Sequence, residues 1–159
     1  MSQSSTMRPR ILAGICALCV TLLGFMASAQ AEEVASCTIF EIEASSGDGG
    51  IDADLKVLEK KLKKPPFSAW KSFKVVKKHA VKATLMKSLS LKLVKGGALS
   101  ILYRDRTDAK GSKPRLRLAL TLDDKNGKRK AEMTIKIDSG DYTLLARGSD
   151  VFAVGCAVQ

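Results

Sequence analysis

Two cysteines near opposite ends of the chain could form a structural disulfide. Cys37 and Cys156 each lie in a segment that alternates apolar and polar residues. In an oxidising compartment such a pair forms a disulfide, and a bridge across a loop of more than roughly 100 residues stabilises the fold by about 4–5 kcal/mol in the chain-entropy model. The alternative is two separate buried thiols. Thiol redox chemistry is not expected, because C-x-x-C spacing occurs only at Cys16 and Cys19, within an apolar N-terminal run.

The remaining candidates for catalysis or metal binding are weak. The only histidine, His79, stands in the cationic stretch K-K-H-A-V-K, and none of the nearby serines has the sequence context of a nucleophile elbow. We therefore predict a surface histidine and no catalytic residue. One histidine beside a disulfide cannot supply a zinc site. Asp48, Asp52 and Asp54 lack the spacing of a calcium-binding loop. No metal or cofactor is predicted.

Three aromatic residues recur at intervals of three in P-P-F-S-A-W-K-S-F. Phe67, Trp70 and Phe73 could form an aromatic contact surface for a sugar or a partner, edged by Lys71 and Lys74. The alternative is a core plug that joins a helix to the first sheet strand. The sequence leaves both interpretations open.

Charge is distributed unevenly along the chain. The net charge is +11, and residues 55–95 carry thirteen lysines against one acid, Glu59. Such a field attracts polyanions, whereas the alternative is that these lysines only keep the outer faces soluble. The candidate anion-binding residues are Lys60, Lys61, Lys63, Lys64, Lys71 and Lys74.

The N-terminus has the order of a secretory signal peptide. Arg8 and Arg10 precede an apolar run over 11–26, and the small-residue stretch A-S-A-Q-A follows. We predict signal peptide 1–31, cleaved after Ala29 or Ala31, and a single β-rich domain over 32–159 in a secreted or periplasmic location. The run is shorter than the ~20 residues of a spanning helix, so no transmembrane span is expected after cleavage.

The elements that must position these residues are mostly strands. The pattern predicts a mainly β fold, an antiparallel β-sandwich or barrel-like domain of about seven strands with one short N-terminal helix. Ile51, Leu55, Leu58 and Leu62 form one helical stripe, and alternation resumes after the prolines that follow it. Phe73 and Val75 begin a short strand that runs on toward Ala80.

The clearest strand pair is a hairpin of 114–123 with 130–138. Leucines alternate along the first segment, and Asn126-Gly127 is typical of a type I′ turn. Because Cys37 lies in the first strand and Cys156 in the last, a bridge would bring the terminal strands together. We expect that arrangement to protect both edges of a sheet or to join the two layers of a sandwich.

The chain resembles a family of exported bacterial β-rich proteins for which no activity is known. The resemblance rests on a Leu/Lys helix, then P-F-x-x-[WY]-x-x-F, then Lys/Leu-rich alternating strands. The matching residues are Leu55, Leu58, Leu62, Pro66, Phe67, Trp70, Phe73 and the segments 89–103 and 114–158. It implies an exported β-rich domain and no substrate. The cysteine pair is not part of the pattern.

The sequence favours an exported, non-enzymatic binding or assembly module of the bacterial cell envelope. Its partner would be an anionic envelope component or another exported protein, contacted through the lysine-rich region 55–95. The alternative is a small enzyme or enzyme inhibitor with a site near Trp70 or in the loop 105–114. The sequence argues against nucleic acid, because it has no recognised binding motif and few aromatic residues among the lysines.

Overall fold

A computed structural model describes residues 32–108 and 110–158. The predicted signal peptide and its cleavage sites lie outside the described residues. The chain folds as two β-sheets with a short helical segment on one of them, which confirms the predicted mainly β, sandwich-like class. The strands are β1 (Val34–Ser45), β2 (Gly50–Ile51), β3 (Ser72–Thr84), β4 (Ser88–Lys92), β5 (Ala98–Thr107), β6 (Arg115–Asp123), β7 (Arg129–Asp138), β8 (Tyr142–Arg147) and β9 (Asp150–Ala157).

The strands form two separate sheets, and the chain passes from one sheet to the other twice. The first sheet has the order β2-β3-β1-β9-β8 and the second the order β4-β5-β6-β7. Paired strands are antiparallel except β2, which runs parallel to β3. Since β3 leads directly into β4 and β7 into β8, the chain crosses between the sheets at both margins. The described residues contain nine strands rather than about seven, and one of them, β2, has only two residues.

The central part of the first sheet is buried on both faces. Its inner face packs against the second sheet through a cluster that includes Ile39, Tyr103 and Phe152. Its outer face packs against the helical segment through a second cluster that includes Phe40 and Phe73. This double burial explains why the middle of β1 is continuously buried, although its sequence alternates acids with apolar residues.

The helical segment, residues 53–69, is more irregular than predicted. A 3-10 helix spans Ala53–Leu58, an α-helix spans Glu59–Leu62, and a second 3-10 turn spans Phe67–Ala69. Leu55, Leu58 and Leu62 are fully buried, as their spacing predicts, whereas Ile51 lies in β2. No helix among the described residues meets the length and apolarity needed to cross a membrane.

The predicted disulfide joins Cys37 to Cys156. The two residues are directly opposite each other on β1 and β9, with Cα atoms 4.0 Å apart. The bridge places the terminal strands side by side, one of the two expected arrangements, but the expected role at sheet edges or between layers is wrong, because both strands are central in the same sheet. The sulfurs face the core between the sheets, where Cys37 and Cys156 are almost completely buried.

Strand β3 is longer than predicted and contains a bulge. It continues to Thr84, well past Ala80, and pairs with β1 along its whole length. The register shifts at Glu41/Ile42, which leaves Val76 as an extra residue on β3. The bulge changes which residues face outward, so Phe73 and Val75 contact the outer cluster while Val81 and Ala83 contact the inner one.

The predicted hairpin of β6 with β7 is confirmed, but its turn differs from the prediction. Among the described non-glycine residues only Met86 has a positive φ, so Asn126 cannot occupy a type I′ turn. The Asp124 carbonyl instead accepts the Gly127 N–H at 2.9 Å, and Gly127 has a φ of 76°. The Asp124 carboxylate favours this wider turn because it accepts the N–H groups of Asn126 and Lys128. The hydrogen bond from the Lys128 N–H, and to a smaller extent that from the Asn126 N–H, lowers the pKa of the Asp124 carboxyl, although desolvation opposes the shift.

Candidate ligand-binding cleft

An open cleft of about 590 Å³ lies between the helical segment and the start of β3. Its apolar lining comes from Ile51, Leu62, Trp70 and Phe73. Its polar lining comes from Lys56, Glu59, Lys63, Ser68 and Lys71. The cleft therefore combines an aromatic wall with three ammonium groups and one carboxylate, a composition suited to an anionic ligand that also has an apolar face.

Asp52 holds the helical segment, on one side of the cleft, against the start of β3, on the other side. Its N–H donates to the Phe73 carbonyl at 2.9 Å, which completes the short β2–β3 contact. Its carboxylate accepts the Asp54 N–H, as an N-cap does, and also accepts the Val75 N–H at 3.3 Å. One side chain thus fixes the start of the helical segment to the exposed edge of β3.

Two backbone contacts fix Trp70 in the cleft. The Trp70 N–H donates to the Phe67 carbonyl at 3.1 Å, and the Lys71 N–H donates to the Ser45 carbonyl at 3.0 Å. The rings of Phe67 and Trp70 are 6.4 Å apart between centroids and tilted by 36°. Phe67 and Phe73 are buried in the outer cluster, whereas Trp70 remains half-buried and lines the cleft. The structure therefore places Trp70 and Phe73 at the cleft and Phe67 behind it.

The cations of the cleft are weakly neutralised. Lys63 forms an ion pair with Glu59, one turn away on the helix. Hydrogen bonding and charge from Lys63 lower the pKa of Glu59, so this carboxylate stays ionised. Lys71 approaches Asp48 only to 3.8 Å, and both side chains are largely exposed. In the part of the chain that the structure describes, Lys56 has no ion-pair partner within 4.0 Å.

The other predicted anion-binding lysines lie outside the cleft. The Lys61 ammonium donates to the Asp141 carboxylate at 2.9 Å and to the Tyr142 carbonyl, which ties the α-helix Glu59–Leu62 to the start of β8. Lys74 lines a smaller cavity of about 280 Å³ beside the loop 46–49. Lys60 and Lys64 are exposed and, within the described ranges, make no ion pair. The structure thus brings Lys63 and Lys71 together with Lys56, which sequence reasoning did not select.

Burial of Asp141 opposes ionisation of its carboxyl, but the hydrogen bond and charge of Lys61 help to outweigh this desolvation. The Lys61 ammonium and the Tyr142 N–H together lower the pKa of the Asp141 carboxyl below its usual value. This contact is therefore a structural ion pair between the helical segment and the first sheet. Lys61 is committed to the fold, unlike the exposed ammonium of Lys56 at the cleft.

Sequence reasoning missed a buried acid–histidine pair. Glu41 is only 4% exposed, and its Oε1 lies 2.6 Å from His79 Nε2. Its Oε2 accepts the Val94 N–H at 2.8 Å. The prediction that His79 is a surface residue is wrong, because the side chain is 13% exposed and packed against this carboxylate. The signal was present in β1, where Glu41 shares its sheet face with Cys37 and Ile39.

Glu41 is part of a set of contacts that docks the turn 93–97 on the first sheet. Lys95 donates to Glu43 at 2.7 Å and forms an ion pair with Asp150 at 3.0 Å. Hydrogen bonds to these two carboxylates raise the pKa of Lys95. Arg147 donates to the Gly96 carbonyl. These polar contacts are structural.

The turn 93–97 requires glycine at position 97, where φ is 92° and a Cβ atom would lie 2.2 Å from the Asp123 carbonyl oxygen.

The chemistry available in the cleft favours binding. Glu59 and Ser68 line the cleft. His79 lies outside the cleft lining and is hydrogen-bonded to Glu41. The predicted loop 105–114 starts later in the structure, because β5 continues to Thr107, and Arg106 at this end of the strand pairs with Asp108 at 2.7 Å. Among the described residues, no group of three histidine, cysteine or carboxylate side chains could hold a metal ion.

Comparison with models of known protein families, with characterised proteins and with solved structures finds no match for this chain. The resemblance to exported β-rich proteins therefore stays a prediction. The assignment of a function depends on the chemistry of the cleft and of the surfaces around it.

Proposed function

We propose that this protein is an exported, non-enzymatic binding module of the bacterial cell envelope and that its cleft beside Trp70 binds an anionic partner. The observation that carries the proposal is the set of three lysines, Lys56, Lys63 and Lys71, around a half-buried tryptophan. One carboxylate, Glu59, opposes these three cations in the cleft lining. An anionic group entering the cleft therefore meets a net positive site that is already formed.

The rigidity of the surrounding fold supports a binding role. The floor of the cleft is formed by the fully buried Leu62 and by Phe73, which is 2% exposed. Asp52 fixes the helical segment to β3, and Lys61 fixes it to β8. A preformed site loses little conformational entropy when a ligand binds.

Export is part of the same proposal. The disulfide fits an oxidising compartment, and the segment 1–31 has the order of a cleavable signal. Mass spectrometry of the protein from its native host tests this point. We expect an N-terminus at Gln30 or Glu32 and no free thiol before reduction. An intact N-terminus in the cytosolic fraction, with both thiols open to alkylation, would contradict export.

One observation keeps the enzymatic alternative open. The surface beside Trp70 is concave and contains an acid, Glu59, as a small enzyme or inhibitor site would require. The lowered pKa of Glu59 makes it a poor proton donor near neutral pH. The same ionised group is a good acceptor for hydroxyl or amide donors of a ligand, so the cleft fits binding better than proton transfer.

Binding to immobilised polyanions tests the proposal. Beads carrying polyphosphate, an acidic polysaccharide or phosphatidylglycerol vesicles would be mixed with the protein at low and high salt. We expect retention on at least one of them at ~50 mM salt and release as screening increases. The triple variant Lys56→Gln/Lys63→Gln/Lys71→Gln should bind about 10-fold more weakly, as three exposed charge contacts would predict.

A second triple variant controls for total charge. Lys125, Lys128 and Lys136 are exposed and lie on the β6–β7 turn and on β7, and none of them lines the cleft. Changing these three to glutamine removes the same charge and should leave retention close to that of the unmodified protein. Equal losses in the two variants, or no retention on any bead at ~50 mM salt, would overturn the proposal.

A further inference from the structure

We propose that the anionic ligand of the cleft is an acidic polysaccharide, bound with one sugar ring against Trp70 and its carboxylate near Lys56, Lys63 and Lys71. This inference rests on the proposed function and specifies its ligand class. The cleft offers three chemically different contacts in one concavity: an aromatic face, cations, and a hydroxyl with an ionised carboxylate. A ring-shaped uronate presents complementary groups for all three.

Trp70 supplies the contact for the ring. It is half-buried, and its backbone hydrogen bond and the buried Phe67 behind it hold the indole in place. The C–H groups on one face of a pyranose are slightly positive and suit the negative face of an aromatic ring. A free phosphate or a simple carboxylate would leave this apolar wall without a partner.

Glu59 and Ser68 supply contacts for hydroxyl groups. The Glu59 carboxylate stays ionised because Lys63 lowers its pKa, so it can only accept hydrogen bonds. The Ser68 hydroxyl can donate or accept. A purely anionic ligand would be repelled by Glu59, whereas a sugar hydroxyl would donate to it. The carboxylate inside a cationic cleft thus favours a ligand with both negative charge and hydroxyl donors.

The shape of the surface argues for a polysaccharide over a lipid membrane. Membrane-surface proteins insert a convex apolar face flanked by cations. Here the aromatic side chain lies within a concave cleft. The exposed large apolar side chains among the described residues are scattered in the sequence over five separate positions, Val34, Val57, Val76, Met86 and Val94.

The fluorescence of the single tryptophan gives a direct test, because Trp70 is the only tryptophan in the chain. The full chain, including residues 1–31, would be expressed, and the protein would be purified in the form that remains after any cleavage by the host cell. A tetramer of galacturonic acid would be titrated against its methyl ester, which has the same rings without charge. We expect the acid to change Trp70 emission and to protect it from iodide quenching, and the ester to bind about 10-fold more weakly.

Variants at position 70 separate ring stacking from charge, with affinity measured by calorimetry. Trp70→Leu should bind the acid tetramer about 10-fold more weakly, and Trp70→Phe should keep part of the affinity. If Trp70→Leu fails to fold, as judged by circular dichroism, Trp70→Phe and iodide protection of the unmodified protein remain decisive. The Lys56→Gln/Lys63→Gln/Lys71→Gln variant should lose affinity, and the Lys125→Gln/Lys128→Gln/Lys136→Gln variant should keep it.

Three further probes distinguish failure of this inference from failure of the proposed function. They are inorganic polyphosphate, phosphatidylglycerol vesicles and an oligothymidylate. If one of these binds through the cleft lysines and the uronate tetramer does not, the ligand class is wrong and the anion-binding function stands. Equal binding of the acid and its methyl ester, or unchanged affinity in both Trp70 variants, would also overturn the inference. If no anionic probe binds, both proposals fail.

Discussion

The arginines of the β6–β7 hairpin and the lysines of the cleft differ in how closely carboxylates pair with them. On the hairpin, Arg115 lies directly opposite Asp138 and donates to it at 2.8 Å. Arg117 lies opposite Asp105 on β5, with 3.0 Å between charged atoms. At the cleft, Lys56 has no such partner among the described residues, and Lys71 has only a distant one. Strand register supplies a counterion to each of these two arginines, whereas the cleft lining holds one carboxylate, Glu59, for three lysines.

This difference separates charges that stabilise the fold from charges that remain available to a ligand. Net charge alone gives no such distinction, because both regions are rich in cations. Changes in the sheets should therefore alter stability and leave ligand affinity intact, and changes in the cleft should do the reverse.

The largest effect is expected from the disulfide. Replacing both cysteines, Cys37→Ser/Cys156→Ser, removes a bridge between residues 119 positions apart. We expect a loss of about 4–5 kcal/mol in the free energy of unfolding, because the unfolded chain gains conformational entropy. Urea unfolding measures it. Variant protein that remains folded should still bind through the cleft, and an unchanged urea midpoint would refute a stabilising role for the bridge.

The buried carboxylate of Glu41 should have the next largest effect. Glu41→Ala leaves His79 and the Val94 N–H without their acceptor in a buried site, and we expect a loss of about 2–4 kcal/mol. Glu43→Ala is the matched control. It lies two residues away on the same strand face, pairs with Lys95 and is half exposed, so its loss should be below about 1 kcal/mol. Equal losses in thermal unfolding would show that burial is not the determining factor.

Acid should weaken the contact between Lys61 and Asp141. The pKa of Asp141 is lowered in the folded state from its usual 3.8. A depressed carboxyl pKa contributes stability at pH values above 3.8, and that contribution is lost as the pH falls toward the folded-state value. Asp141→Asn should therefore flatten the acid side of the stability profile. A variant whose profile coincides with that of the unmodified protein would exclude this contribution.

The smallest effect is expected from the arginines of the hairpin. Arg115→Gln/Arg117→Gln removes two cross-strand ion pairs that are largely exposed, and each should contribute less than about 1 kcal/mol to stability. Affinity for an anionic ligand should not change, although two positive charges are lost. A marked fall in affinity would mean that total charge, and not the cleft, determines binding.

Local patterns predicted the strands and the cross-link well. The alternation of Leu116, Leu118 and Leu120 identifies β6 because one face of the second sheet is buried and the other is solvated. The disulfide followed from compartment and from the position of each cysteine in a strand. The order of strands in the sheets could not be predicted from local patterns, because the pairing of β1 with β9 depends on contacts between opposite ends of the chain.

The cleft was only partly predictable for a related reason. Trp70 and Lys71 stand out in the sequence, and their selection needed no structure. Lys56 was not selected, because its place in the same cleft as Trp70 depends on how the helical segment packs against β3. The burial of Glu41 was not predicted, because local alternation does not reveal that the turn 93–97 covers that part of the sheet.

The most direct test of the account is to map the ligand contact by NMR amide chemical shifts. An acidic oligosaccharide would be added to the isotope-labelled protein at low salt. We predict that the perturbed amides cluster at residues 50–73 and that the indole N–H of Trp70 is among them. Perturbations centred on the arginine-bearing hairpin, or spread evenly over all basic surfaces, would contradict the assignment of the cleft as the binding site.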